Sequence, residues 1–239
     1  MKRAATWITL AAFAGTSTFA AGTTAWTHSL TAYFLGASMD GEVEVRGIPV
    51  TVDVPFSDIW SNLEFGAMFN YRAEKDRLSL NADLIYMGLG GSSPNGLAEI
   101  DFDQWMVEGS AGWRLGEAIE VIGGLRYNDL DAKLQTRGPG GLTASQGKSW
   151  VDPFVGARAI VPLSGSFSLI ARGDVGGFGV GSEMAWQVAA YLRYATSNSV
   201  SIILGYRCLD MEYEDGEGAN RFVYDMTIQG PAFGVTWRF

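Results

Sequence analysis

Gly230-Pro-Ala-Phe-Gly-Val-Thr-Trp-Arg-Phe239 closes the sequence, and its reading decides the fold. Phe233, Val235, Trp237 and Phe239 alternate with Ala232, Gly234, Thr236 and Arg238. That is the period of two of a β-strand, whose successive side chains point to opposite faces. One face of this strand is aromatic and apolar, with rings at both ends; the other is small or charged.

An apolar strand face carrying rings at each end matches the aromatic girdles of membrane-spanning barrels. The stretch resembles the C-terminal signature strand of Gram-negative outer-membrane β-barrels. That resemblance implies that the terminal Phe239 is an assembly signal read by the barrel-assembly machinery. Upstream, Met1-Lys-Arg3 is a basic start, Ala4–Ala14 is largely apolar, and small residues around Ala20–Gly22 offer a cleavage site. Residues 1–22 therefore read as a secretory signal peptide, leaving 23–239 as one exported barrel domain. The full chain has 17 basic and 26 acidic residues; without Lys2 and Arg3 the balance is 15 − 26 = −11. So acidic a chain has no basic stripe for phosphates, which argues against nucleic acid as a partner. Cys208 is the single cysteine, so no intrachain disulfide can form. Beyond the start there is no apolar run of about 18 residues that would make a transmembrane helix.

Ten alternating segments follow, at about 28–38, 63–74, 77–90, 100–115, 118–131, 150–163, 167–180, 184–195, 199–211 and 222–239. Leu78, Leu80, Ala82, Leu84 and Tyr86 share one face, opposite Ser79, Asn81 and Asp83; Val200, Ile202, Leu204 and Tyr206 likewise oppose Ser201, Gly205 and Arg207. Tight turns at 74–77, 115–118, 164–166 and 196–199 alternate with longer joins at 39–62, 91–99, 132–149, 181–183 and 212–221. Short turns on one side and long loops on the other is the outer-membrane pattern, and an open edge in lipid would strand backbone groups at several kcal/mol each. The expected fold is all-β: a closed antiparallel transmembrane barrel of ten strands, with eight or twelve as alternatives. A soluble lipocalin-like barrel is the mirror image of the same alternation; the signal peptide, terminal Phe and loop asymmetry favour the membrane.

The segments Trp150–Arg158, Ala171–Ser182 and Leu204–Arg207, together with the ending at Phe239, resemble a family of outer-membrane β-barrel proteins mostly without assigned activity. The resemblance implies the architecture and contact with outer-membrane lipid and lipopolysaccharide, but no substrate or cofactor. The inward faces are expected to collect Glu64, Arg72, Asp83, Glu108, Arg126, Arg158, Arg172, Asp174, Arg193 and Arg207, with Arg114, Glu120, Asp152 and Arg238 beside them. Arginine forks suit planar, crowded pairing with carboxylates. In the first long join, Pro55–Leu63 predicts a short helix carrying Phe56, Ile59, Trp60 and Leu63 on one side, a candidate plug for the barrel mouth, with the alternative that it rests on the rim against lipid or lipopolysaccharide. The alternating 42–54 stretch before it reads as a hairpin turning at Gly47, or as an extra spanning pair.

Hydrolytic chemistry is poorly provided for. His28 is the single histidine and sits at the start of the first strand, so the His-dependent acyl and peptide hydrolysis schemes lack a proton carrier at the outer rim. Gly173–Gly181 lacks the Lys-Ser/Thr ending of a phosphate loop. Acidic runs at 99–103 and 210–217 read as solvated loop faces, with divalent-cation binding as the alternative. Neither a catalytic residue, a metal nor a cofactor is assigned. The expected activity is a narrow or gated pore for ions or small solutes; the alternative is a closed structural or adhesive surface barrel displaying acidic loops.

Overall fold

The computed structural model describes residues 25–45, 48–92, 98–136, 143–218 and 221–239. The expected signal peptide and the expected turn residue Gly47 lie outside them. In chain order the elements are β1 (Thr27–Leu35), β2 (Ser38–Val45), β3 (Ile48–Val54), α1 (Phe56–Asn62), β4 (Leu63–Lys75), β5 (Leu78–Ser92), β6 (Ala98–Arg114), β7 (Ile119–Thr136), β8 (Thr143–Pro162), β9 (Phe167–Gly177), β10 (Met184–Ala195), β11 (Val200–Asp215) and β12 (Phe222–Arg238).

Ten strands, β1 and β4 to β12, pair with their neighbours in order, all antiparallel, and β12 returns to β1 to close the barrel. Leu30 lies across from Trp237 and Leu35 from Ala232 at the closing seam. The extreme end is fastened too: His28 and Phe239 exchange both backbone hydrogen bonds, at 3.0 and 2.9 Å. Closure leaves these strands without a lipid-facing edge, which is the condition for spanning a bilayer with sheet.

The extra alternating pair does not make a twelve-stranded barrel. After a break at Gly36–Ala37, β2 continues the line of β1 along the upper half of β12, with Ser38 opposite Gln229 and Val45 opposite Phe222. β3 folds back on β2 from Ile48, and α1 then leads into β4. The hairpin is a rim extension. Its outward residues Asp40 and Glu42 are exposed acids, unsuited to lipid.

Strand reaches into several of the joins expected to be long. β7 runs to Thr136, past the expected end at 131; β8 begins at Thr143, ahead of the expected start at 150; and β11 continues to Asp215, past 211. The expected strand 167–180 stops at Gly177 because Gly177, Phe178 and Gly179 all take left-handed φ (84°, 53° and 69°), turning the chain tightly into β10.

Among the described side chains the alternation holds along the long strands β6, β7 and β11, but its chemistry reverses part-way up. Outward on β6 come Trp113, Val107 and Trp105, then Asp103; on β7 Val121, Leu125 and Tyr127, then Asp129 and Asp131; on β11 Ile202, Leu204 and Tyr206, then Asp210 and Glu212. Inward on β11 the order is Ser201, Arg207, then Leu209, Met211 and Tyr213. The lower barrel is apolar outside and charged inside. The upper barrel is polar outside and apolar inside, as in a water-soluble protein.

Candidate functional site: the barrel lumen

In the middle of the lumen Arg126, fully buried, donates to Glu108 Oε2 from Nε at 3.3 Å and Nη2 at 3.1 Å, and to Asp174 Oδ1 at 2.8 Å. Arg172 joins the same two carboxylates, Asp174 through Nε at 2.8 Å and Glu108 through Nη1 at 2.6 Å. Phe154 lies beneath both guanidiniums, 5.2 and 5.3 Å from its ring centroid, a cation–π seat. The ring has room because Gly124 stands beside it; a Cβ there would meet Phe154 Cζ at 2.8 Å and the Gly109 carbonyl at 2.2 Å. Gln187 bridges onward, donating to Asp174 at 3.1 Å and accepting from Arg207 Nε at 2.8 Å. Arg207 reaches Asp83 at 2.9 Å, and Asp83 also accepts from Tyr33 and Asn70.

Nearer the short-turn end, Arg72 binds Glu74 and Glu120 at 2.9 and 3.0 Å, Arg158 approaches Glu120 at 3.4 Å, and the Ser79 hydroxyl donates to Glu120. Arg114 completes the group through Glu74 at 2.7 Å. Arg193 bonds only the Ser168 hydroxyl, at 3.0 and 3.3 Å. The sequence reading thus placed Arg72, Asp83, Glu108, Arg126, Arg158, Arg172, Asp174, Arg193 and Arg207 on one continuous inner surface, and the structure brings them together there. The side chain of Glu64 lies outside the described residues, at a register shift between Leu63 and Phe65. Asp152 is not braced by arginine; it accepts from Trp150 Nε1, Asn128 Nδ2 and the Ser182 amide and hydroxyl. Glu74 escaped the sequence reading because it was taken as a turn residue, although it stands one inward step beyond Arg72.

Above Arg207 the lumen is filled by Leu35, Met68, Met87, Met106, Leu209, Met211 and Met226. The Trp150 ring stacks on Tyr213 at 4.1 Å, with Tyr224 tilted beside it at 5.8 Å. No reading of the inward face as uniformly polar anticipates this half. Its signal was available, since these methionines stand at inward parity on the long strands. The candidate plug helix is divided by the rim. Ile59 is buried in this core, whereas Phe56 is exposed and meets Phe34 edge-on at 6.3 Å on the outer side; the side chains of Trp60 and Leu63 lie outside the described residues. The plug is therefore chiefly strand-borne, with α1 contributing Ile59.

The outer belt runs between two tiers of rings: Tyr71, Trp113, Phe167, Tyr194 and Trp237 below, Trp105, Tyr127 and Tyr206 above, all exposed. Trp113 and Trp105 are eight residues apart on β6, about 26 Å along the strand and about 20 Å in height at a tilt of about 40°, most of the roughly 25 Å of an outer-membrane apolar band. A closed antiparallel barrel with this belt outside and an ionic lumen inside has one stable solvent on each surface. The protein is an outer-membrane β-barrel. The belt residues contact lipid, and the acids above Trp105, Tyr127 and Tyr206 form a collar beyond it. On that collar Arg221 holds Glu214 at 2.8 Å and also Glu44; at the lumen mouth Lys148 and Asp215, both at inward parity, pair between β8 and β11. The hydrogen bond from Arg221 keeps the Glu214 carboxyl below its ordinary range, and that from Lys148 does the same for Asp215. Among the described residues no three His, Cys, Asp or Glu side chains are grouped as a metal site.

No protein-family model and no curated protein matches the chain. Solved barrels do resemble it at low identity. The attachment invasion locus protein Ail of Yersinia pestis is 15% identical, with a TM-score of 0.43 covering 91% of this chain and 99% of that one. The transport unit of the autotransporter AIDA-I from Escherichia coli is 10% identical, with a TM-score of 0.43 and 90% of each chain covered. Neisserial surface protein A is 13% identical, with a TM-score of 0.35 covering 90% and 97%.

Proposed function

We propose that this outer-membrane barrel is a sealed one that works at the cell surface through its extramembrane collar, rather than a conduit for solutes. The observation that carries the reading is the filled upper lumen. Tyr224, Met211 and Met226 are each at most 1% exposed, and the layer beneath them is closed by Arg126 and Phe154. A barrel of about eight strands is just filled by its side chains, whereas aqueous channels belong to much wider barrels. An ion leaving the charged layer would have to enter methionine and aromatic packing, and dewetted apolar constrictions block conduction.

The collar supplies the surface. Asp40, Glu42, Asp129, Asp131, Asp210, Glu212 and Asp225 all face outward there, giving a closed structural or adhesive barrel an acidic face toward lipopolysaccharide and the medium. Residues 1–22 act as the export signal in this reading, and the C-terminal strand ending in Phe239 engages the assembly machinery. His28, the single histidine, is tied to the Tyr71 hydroxyl at 2.7 Å and stacked on Phe239 on the outer face, at the end opposite the collar acids.

Single-channel recording in planar bilayers tests the proposal, using refolded barrel checked by heat-shifted gel mobility, intact and with residues 42–62 deleted. Silence is expected from both, because the seal is built mainly by β5, β6, β8, β11 and β12. Discrete conductance steps from the intact protein would refute a sealed lumen.

A further inference from the structure

Below the seal the lumen is not filled. A cavity of about 170 Å3 is walled by Arg72, Arg158, Arg172, Arg193 and Arg207, against only Glu74 and Asp83 among carboxylates. It shares Ser29, Arg72, Glu74, Ile160, Arg193 and Thr236 with a vestibule of about 720 Å3 that also touches the short turns at Arg114–Ile119 and Ala195–Ser201. The cavity therefore communicates with the periplasmic end; on the far side of Arg207 there is a separate apolar void of about 30 Å3 between Met68, Met87, Met106 and Leu209.

Its charge is unbalanced. The wall arginines, with Arg114 and Arg126 that share their carboxylates, make seven cations; Glu74, Asp83, Glu108, Glu120 and Asp174, with Asp152 cross-strand from Arg126, make six anions, so 7 − 6 = +1. This surplus sits inside a protein whose formal charge is −9. Donors are in surplus as well. Among the described residues Arg72 Nε and Nη1, Arg172 Nη2 and Arg207 Nη2 have no acceptor, against one wall acceptor without a donor, Asn81 Oδ1, and Arg193 meets a serine hydroxyl. Buried guanidinium nitrogens left unpaired are costly, so native lumens rarely leave several together without a purpose.

We infer that this cavity is a binding site for a small oxyanion of the phosphate type, entering from the periplasm. Several guanidinium forks converging from different strands match an anion with several oxygens better than a monatomic one. At about 10–15 Å3 of such space per water, 170 Å3 accommodates one phosphate and part of its hydration shell, but no large organic group. The inference does not depend on the function of the collar, since the site lies on the other side of the seal.

Isothermal titration of the refolded barrel in detergent with inorganic phosphate, at constant ionic strength, tests it. Saturable binding is expected, displaced by sulfate. Arg193→Gln removes a wall cation that braces no carboxylate and should weaken binding about tenfold, the scale of one charge-assisted hydrogen bond. Should that variant not refold, Arg158→Gln makes the same comparison, because Glu120 keeps Arg72 and Ser79. Absence of saturable binding, or equal binding by wild type and the folded variant, would overturn the inference.

Discussion

Arg126→Met separates the ionic lumen from a merely crowded one. Methionine keeps most of the stem against Phe154 and removes the fully buried guanidinium with three hydrogen bonds to Glu108 and Asp174. Breaking a buried ion pair from one side costs about 3–5 kcal/mol, because the remaining charge stays buried. Here the residual charge is partly covered: Arg172 still reaches both carboxylates, and Gln187 still donates to Asp174. The expected loss is therefore at the lower end, about 3 kcal/mol, or roughly two orders of magnitude in the folding equilibrium. Reversible urea unfolding in phospholipid vesicles, followed by tryptophan fluorescence, would read it as a lowered midpoint at unchanged slope. Adding Glu108→Gln to Arg126→Met should recover part of the loss, since it removes the stranded charge. Arg114→Met, at a side chain 36% exposed, should cost less than about 1 kcal/mol. A loss below about 1 kcal/mol for Arg126→Met, or strict additivity of Arg126→Met with Glu108→Gln, would refute the network as the lumen's organising element.

Two further outcomes follow from the ends of the barrel. Removing Phe239 deletes the paired backbone bonds to His28 and the ring stacked on it; the truncated chain should still refold in vitro but reach the outer membrane of cells at lower level, and unchanged cellular yield would count against the assembly role. On the collar, Glu214 has a folded pKa held below its ordinary value, so its contact with Arg221 stabilises above the ordinary carboxylate range and is lost as pH falls through the lowered value. The difference in thermal midpoint between wild type and Arg221→Gln should therefore be present at about pH 6 and shrink as the pH is taken down below the ordinary carboxylate range; a pH-independent difference would count against the clamp.

Most of the barrel was legible because strand alternation has a period that neither length nor tertiary context alters. Leu78 to Tyr86, Phe167 to Val175 and Val200 to Arg207 face as their parity requires, and the lumen arginines follow from the same count. What parity could not give was height. The expected segments 118–131, 199–211 and 222–239 already hold Asp129, Asp210 and Asp225, but parity alone does not say that their outward faces pass from lipid into water at that level. For the same reason the inward methionines went unread as a core. Contacts across the barrel were also hidden: Arg207 meets Asp83 over a sequence distance of 124 residues, which no local pattern encodes.

The reversal of polarity up the wall joins these observations to function. A strand in lipid must turn its apolar side chains outward, so its inner face is left to polar groups that satisfy one another. Once the same strand passes beyond the belt, water on the outside removes that constraint, and burying Leu209, Met211 or Ile228 within becomes favourable by about 1.5–3 kcal/mol each. A barrel extended in this way acquires a hydrophobic core above an ionic one without any dedicated plug domain. In the sealed-barrel proposal this core closes the route to the outside, and the ionic layer below it, denied an exit upward, remains as the proposed pocket open to the periplasm. Seal and pocket are two consequences of one length of strand crossing from lipid into water.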